Sequence, residues 1–486
     1  MEKSNFTKIL KTLSPKEFKE FGEYVHSPFF NKNESIKRLF DYLKKCYPSL
    51  EPEKISKEYI HKKIFAGAEY NDDFMRMLLF GMTKLAEDYL AYLRMRNSEW
   101  DMKLLLTKEL NERHLDKSVD KALKKTLGEL EKTDKKTSDW YFFKYKMQYE
   151  NVSYLRRKHL NRFDKFLKEA PLNDLHMEFT AYYLITILKM HVFLLNTRKI
   201  FKTDKDIASF EQVIETLDKK FLKETPLIEI YYNLTMLLHT DEEEYFFSLK
   251  KKMMQYDVSI DNNDMLEVLI NVQNYCSRRI RKGDIEFAKE LFGLYKLEVE
   301  GGYFAHYGYL HDVLYKGLIE IGVEIGEEEW VKKFAEEYRK HLQPEIEEDV
   351  YYYGKSFISF SEGKYDDALE HLSMVKLYDV HSKIEVKELS AKIYFEMKLE
   401  DMLFSLTDTF RHLLTNSKVL SEYRKSAYFN FIKYIKKLYK MNLKPDRGDV
   451  AEIKQMIKKE KQLENRLWLA RKVRELEARV KPKLRN

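Results

Sequence analysis

Two cysteines, nine prolines and fifteen glycines are all that the 486 residues contain of the types that staple, break or loosen a chain. Cys46 and Cys276 stand far apart in helical patterns, so a disulfide framework is excluded and a reducing compartment is expected. Gly and Pro together make about 5% of the chain, where roughly 12% is usual. So little turn chemistry excludes β-sandwiches, β-barrels and flexible-linker architectures. Long hydrophobic runs are also missing. The most apolar stretch, Phe179 to Leu188, is bounded by Glu178 and Lys189 and reads as too short to span a bilayer. The first residues, MEKSNFTKILKTLSPKEF, carry charges throughout and no signal-type apolar core. A soluble, cytoplasmic protein is therefore expected. Neither sign of charge dominates, with 87 Lys+Arg against 80 Asp+Glu. The excess of +7 resides in residues 451–486, with twelve basic and five acidic residues; residues 1–450 balance.

What the chain has is amphipathic periodicity. Apolar residues recur at spacings of three and four almost everywhere, as in Phe18, Phe21, Val25 and in Leu123, Leu127, Leu130. No stretch alternates as a strand does, so the fold class is all-α. Ser14-Pro15 and Thr225-Pro226 are helix starts, and Ser14 with Glu17 forms a capping box. Residues 1–97 read as an N-terminal helical module with helices near 14–26, 34–46, 57–66 and 71–97. Phe29 and Phe30 are expected to plug one of its junctions. Such a module either holds a helix-turn-helix or caps one end of a longer array, and the lack of a distinctly basic helix favours the cap. Upstream pairs are expected with first helices near 138–150, 173–196 and 225–239 and second helices near 157–169, 206–222 and 243–256.

From Cys276 onward a repeat is visible. Gly283, Gly326, Gly363 and Met397 are equivalent turn positions, with Cys276, Ile319, Ser356 and Ser390 seven residues before them and Ala288, Val331, Ala368 and Met402 five after. The string Gly363-Lys364-Tyr365-Asp366-Asp367-Ala368-Leu369 resembles the turn and second helix of a tetratricopeptide repeat, and Gly283-Asp284-Ile285-Glu286-Phe287-Ala288 is similar to it. Ile319 and Glu328 depart from that pattern. The resemblance is clearest around 276–409. It implies a superhelical α-solenoid of antiparallel helix pairs over 101–450, followed by a basic amphipathic C-terminal helix and tail over 451–486. It also implies that first helices line a concave surface.

No phosphate-binding glycine loop, dinucleotide fingerprint, zinc-protease motif, C-x-x-C or nucleophile elbow is present. The expectation is a non-catalytic protein with no cofactor and no metal. Asp261-Asn262-Asn263-Asp264 reads as a helix N-cap rather than a calcium loop, and the acidic runs at 241–244 and 327–329 as solvated first turns. Tyr303, Tyr307, His311 and Tyr315 recur every four residues and would form one stripe on a first helix. That stripe either lines a partner groove or packs between repeats; Tyr182, Tyr231 and Tyr351 occupy other first helices. Asn271 and Asn274, with Asn233, are candidates for holding an extended peptide, or are simply solvated. Positions six before the turns hold Ser277, Glu320, Phe357 and Ala391, so the Asn of carboxylate-clamp domains is missing. Arg278, Arg279, Arg281 and Lys282 end a helix, where its dipole favours cations. Ile453, Ile457, Leu463, Leu467, Ala470, Val473, Leu476 and Val480 make an apolar stripe beside Trp468, opposite Arg471, Lys472, Arg474 and Arg479. This last helix either caps the array or projects toward a partner helix or an anionic surface.

The function expected from these features is that of a protein–protein interaction scaffold or adaptor, which binds a peptide or helix in the solenoid groove. The alternative is a nucleic-acid-binding regulatory protein using the N-terminal module and the basic C-terminal helix.

Overall fold

A computed structural model describes residues 4–201, 225–256, 260–376, 379–444 and 446–480. The second helix expected near 206–222 lies outside the described residues. Among those described there are twenty-three α-helices and no strand; Leu310 and Leu342 make a single isolated bridge. The fold is all-α. Residues 4–132 and 143–175 form one compact unit, and residues 133–142 and 176–480 form the other.

The first unit opens with α1 (Asn5–Thr12), which was not expected from the sequence. There follow α2 (Pro15–His26), α3 (Glu34–Cys46), α4 (Lys57–Ile64) and α5 (Asp72–Asn97). Ser14 and Glu17 form the capping box of α2. Phe6, Phe21, Leu39, Met75 and Met82 pack into a core shared by these helices. Aromatic rings tie it down: Tyr47 stacks on Phe18 at 3.9 Å, and the Tyr89 hydroxyl donates to the Glu17 carbonyl at 2.9 Å. Phe30 stacks on Tyr24, but Phe29 is 86% exposed and plugs nothing. Next come α6 (Glu99–Glu112), α7 (Asp116–Glu131), α8 (Ser138–Lys158) and α9 (Phe163–Glu169).

The long apolar helix α10 (Leu172–Phe201) corrects the reading of a ten-residue apolar stretch. From Leu172 to Thr197 it is long and apolar enough to cross a membrane by length and composition, with 39% of its most apolar window buried. Ala181, Leu184, Ile185, Leu188 and Val192 make the buried stripe of a core helix. Beyond it lie α11 (Pro226–Thr240), α12 (Glu243–Gln255), α13 (Asn262–Lys282), α14 (Phe287–Glu300), α15 (Asp312–Ile325), α16 (Glu328–Tyr338), α17 (Glu347–Ser361), α18 (Tyr365–Ser373), α19 (Val380–Glu396) and α20 (Glu400–Asn416). They pack in consecutive pairs, α11 on α12 through to α19 on α20. Then α21 (Glu422–Leu443), α22 (Arg447–Lys459) and α23 (Arg466–Val480) end the described chain.

The turns inside these pairs share one geometry. After α13, α15, α17 and α19 a residue enters the left-handed region: Gly283, Gly326, Gly363 and Lys398, with φ of 122°, 88°, 76° and 58°. The following amide donates back five residues each time, Asp284 to Arg279, Glu327 to Gly322, Lys364 to Ser359 and Leu399 to Tyr394, at 2.8–3.0 Å. This is the Schellman termination, which glycine adopts without strain. The fourth turn residue is thus Lys398, one place beyond Met397, a lysine carrying a left-handed backbone that costs about 1 kcal/mol or more. The corrected register puts Ala391, fully buried, seven before the turn in place of Ser390. Small residues let first helices approach: a Cβ on Gly354 of α17 would meet Ile319 of α15 at 2.7 Å.

One apolar core runs from Phe292 to Leu476 and includes Leu318, Phe357, Leu403, Phe431, Ile453, Trp468 and Val473. The single terminal helix expected after residue 450 is therefore two helices, broken by Asn465 at φ 56°. Their apolar side chains belong to the core of the pairs before them.

Candidate functional site

The structure rearranges the aromatic stripe. Tyr303 to Tyr307 is a 3₁₀ turn between Gly302 and Gly308, both at positive φ, and His311 is the N-cap position of α15. Glycines flanking the turn end the helical period, so Tyr303, Tyr307, His311 and Tyr315 share no helix face. Tyr303 is buried against Gly301, and the side chain of Tyr307 lies outside the described residues. His311 is exposed. Tyr315 is fully buried, and its hydroxyl donates to the Ala335 carbonyl of α16 at 2.8 Å, which makes it packing within a pair.

The asparagines divide. Asn271 is buried, donates to the Glu267 carbonyl at 2.7 Å and accepts from Asn196 of α10. Asn233 is buried and bonds the Glu229 carbonyl. Asn274 is exposed on α13. Tyr231 donates to Asp264 and Glu267 at 2.7 Å, so it too is internal. Asp261 accepts from the Asp264 amide as an N-cap. Among the described residues no group of three His, Cys, Asp or Glu side chains could hold a metal ion.

The basic side chains near the chain end are largely used inside the fold. Lys472 is buried and lies 2.6 Å from Glu396 of α19, and Arg471 lies 3.4 Å from Glu324 of α15. Arg479 is exposed and donates to Asn442, and Arg474 is exposed. The basic end of α13 is likewise engaged, with Arg279 on Asp284 at 2.6 Å and Lys282 on Asp241 at 2.6 Å.

What the sequence reading missed is a cavity of about 200 Å³ between α13, α14, α15, α17 and α19 on one side and residues 463–468 on the other. The positions six before each left-handed turn residue are Ser277, Glu320, Phe357 and, in the corrected register, Lys392, and all four line it. One turn earlier on three of these helices stand Lys316, Tyr353 and Glu388. Residues four apart share a helix face, and of these three Glu388 also lines the cavity.

These groups interact closely. The Tyr353 hydroxyl donates to Glu320 at 2.8 Å, and the Lys392 ammonium, only 3% exposed, lies 3.6 Å from Glu388. Glu464, in the turn before α23, lies 3.2 Å from Arg281 and 3.7 Å from Arg424. Burial pushes the Glu320 carboxyl up to about 7, helped by the charge of Glu388 and opposed by Lys392 and the Tyr353 hydrogen bond. Burial raises Glu388 also. Burial would raise Glu464 too, yet Arg281 and Arg424 together hold it below the usual carboxylate range. Three polar atoms of the lining have no hydrogen bond: Nε1 of Trp468, a residue only 1% exposed, Nδ2 of Asn465, and Oε1 of Glu464, which is held by its ion pairs.

No family model matches the chain, and neither does any curated protein or solved structure. The cavity is therefore interpreted from its own chemistry.

A pH dependence follows. A carboxyl that is harder to ionise in the folded chain stabilises the fold most below the ordinary carboxylate value. That contribution falls as pH rises through 4.5 toward 7. Glu320→Gln is expected to remove it. The difference in melting temperature, variant minus parent, should be more positive at pH 8 than at pH 5; an equal difference at both would remove the assignment.

Proposed function

We infer that the second unit is a tetratricopeptide-like interaction module that receives a partner segment along its first helices. The observation that carries this reading is the convergence of Ser277, Glu320, Phe357 and Lys392, one from each of four successive first helices, on a single cavity. Equivalent positions of a repeat meet on one side only when the pairs stack in register, and the side on which first helices meet is the concave one. That wall is buried against residues 463–468 of the same chain, so a partner segment would meet the first helices beyond it. Exposed Asn274, one turn before Ser277 on α13, lies where such a segment would run.

The nucleic-acid alternative draws less support, because Arg471 and Lys472 are paired with Glu324 and Glu396 rather than free to meet phosphates. A photo-crosslinking residue placed at Asn274 is expected to capture a defined partner in the native cell. The same residue at Lys289, exposed on the second helix α14, is not. Equal capture from both positions, or none from Asn274, would overturn the groove reading.

A further inference from the structure

A second cavity, of about 290 Å³, lies between the turn after α13 and the last two helices, α22 and α23. Its apolar lining is Ile285, Ile457, Ala470 and Val473, and its charged lining is Lys454, Lys458, Arg466 and Arg474. No carboxylate is among the described residues that line it. The size is at the lower end of the roughly 300–1,000 Å³ of small-molecule sites, which join an apolar wall to a few placed polar groups.

The acids nearby have other partners. Glu477 lies 2.8 Å from Lys454, Asp284 2.6 Å from Arg279 and Glu475 2.8 Å from Lys472. Glu460 accepts from the Tyr434 hydroxyl at 3.0 Å, and Glu286, next to Ile285, is exposed and no part of the lining. Lys454 is thereby neutralised. Lys458 and Arg474 are exposed, and their side chains make no ion pair or hydrogen bond among the described residues.

Arg466 is the deciding group. It is only 3% exposed, and no carboxylate comes within ion-pair distance of its guanidinium among the described residues. Backbone carbonyls surround it instead. Nε and Nη2 donate to Arg281 at 2.9 and 2.5 Å, Nη1 donates to Ile457, and Nη2 donates also to Glu460. Four of the five guanidinium N–H groups are thus engaged, and the fifth belongs to Nη1. A Cβ on Gly283 would stand 3.7 Å from Nη1, so the missing side chain there leaves the wall open beside it. Carbonyl dipoles satisfy donors but do not cancel the charge, and a buried charge without a counter-ion is costly. Burial accordingly pushes Arg466 below the usual guanidinium range, with Glu460, Tyr434 and Asp284 opposing more weakly.

We propose that this cavity binds a carboxylate carried on a compact apolar body, as a medium-chain fatty acid or the apolar last residue of a peptide does. The carboxylate takes the free N–H of Arg466 and pairs with Lys458 and Arg474 at the rim. The apolar body rests on Ile285, Ile457, Ala470 and Val473. The lining belongs to the last two helices and one turn, so the proposal does not rest on the groove reading above.

Isothermal titration of the full chain at neutral pH tests this with acetate, butanoate, hexanoate, octanoate, hexanamide and the tripeptide Gly-Gly-Leu. Affinity is expected to rise along the acids, by up to roughly fourfold for each methylene buried, and hexanamide, which lacks the charge, is expected to fail. Tighter binding of octanoate than of Gly-Gly-Leu assigns a free acid, and the reverse order assigns a peptide end. Lys458→Gln combined with Arg474→Gln should weaken octanoate at least about tenfold, as loss of charged partners does. Both side chains are exposed and unpaired, so the fold does not depend on them. Lys333→Gln on the exposed face of α16 should leave binding unchanged. Ala470→Leu, which keeps every charge and fills the apolar part, should also weaken it, so the result does not hang on one variant. Absence of heat with every acid, equal affinity for hexanoate and hexanamide, or affinity independent of chain length would overturn the proposal. So would octanoate binding undiminished in both the double variant and Ala470→Leu.

Discussion

Trp468→Ala is expected to destabilise the second unit by about 3–5 kcal/mol, the loss typical of emptying a buried aromatic site. The ring stands edge-on to Phe395 of α19 at 5.2 Å and near Phe431 of α21 at 6.5 Å, in the core that also holds Leu403 and Leu469. Neighbours from three different helices cannot collapse together into the space it leaves. Urea denaturation followed by circular dichroism should show an earlier midpoint. Arg479→Ala, at an exposed position on the same helix, should stay within about 0.5 kcal/mol of the parent. A Trp468→Ala chain as stable as the parent would mean that the final helix is not part of the core.

Glu464→Ala is expected to cost a similar amount, about 3–5 kcal/mol, for an electrostatic reason. Its carboxylate is the common partner of Arg281 and Arg424, and its removal leaves two partly buried guanidiniums without the anion they share. Replacing both arginines and the glutamate by apolar residues of similar size should recover part of that loss, because the penalty belongs to the uncompensated charges rather than to the pair itself. The sign of the pH effect is opposite to that of Glu320. A carboxyl held below its ordinary value contributes stability above about 4.5 and loses it as pH falls through the lower, folded-state value. The parent should therefore converge on Glu464→Ala in acid and separate from it at neutral pH. Parallel pH profiles for the two chains would contradict the pairing.

The all-helical fold was legible because amphipathic period survives in most of the described helices, and caps such as Ser14 and Asp261 mark starts independently of packing. The repeat turns were legible through Gly283, Gly326 and Gly363. At the fourth turn the glycine signal is replaced by Lys398, whose left-handed backbone goes with the pairing of α19 and α20, so the repeat pattern points to Met397, one place early. That single displacement hid the site. With Ala391 in the fourth place the positions six before the turns looked like a failed clamp; with Lys392 there, they are a polar wall. The false stripe from Tyr303 to Tyr315 had the opposite origin: spacing by four was followed across Gly308, where the backbone leaves the helix. In residues 463–468 the period marks Leu463 and Leu467 as apolar positions but says nothing of what Glu464 and Trp468 meet. What positions Trp468 and Glu464 is contact with helices far away in the chain, and that information is absent from any local window.

The contact of Arg466 with the Arg281 carbonyl joins residues 185 apart. During synthesis, α14 to α21 leave the ribosome before the helix that joins their common core exists. Their apolar faces must wait, for several seconds or more at roughly 5–20 residues per second, until residues 466–480 emerge. Pairing of neighbouring helices is local and fast, whereas this final step joins distant segments and is the slow one. Chains arrested before Arg466 would thus be the species most exposed to aggregation, although the helices before it are present.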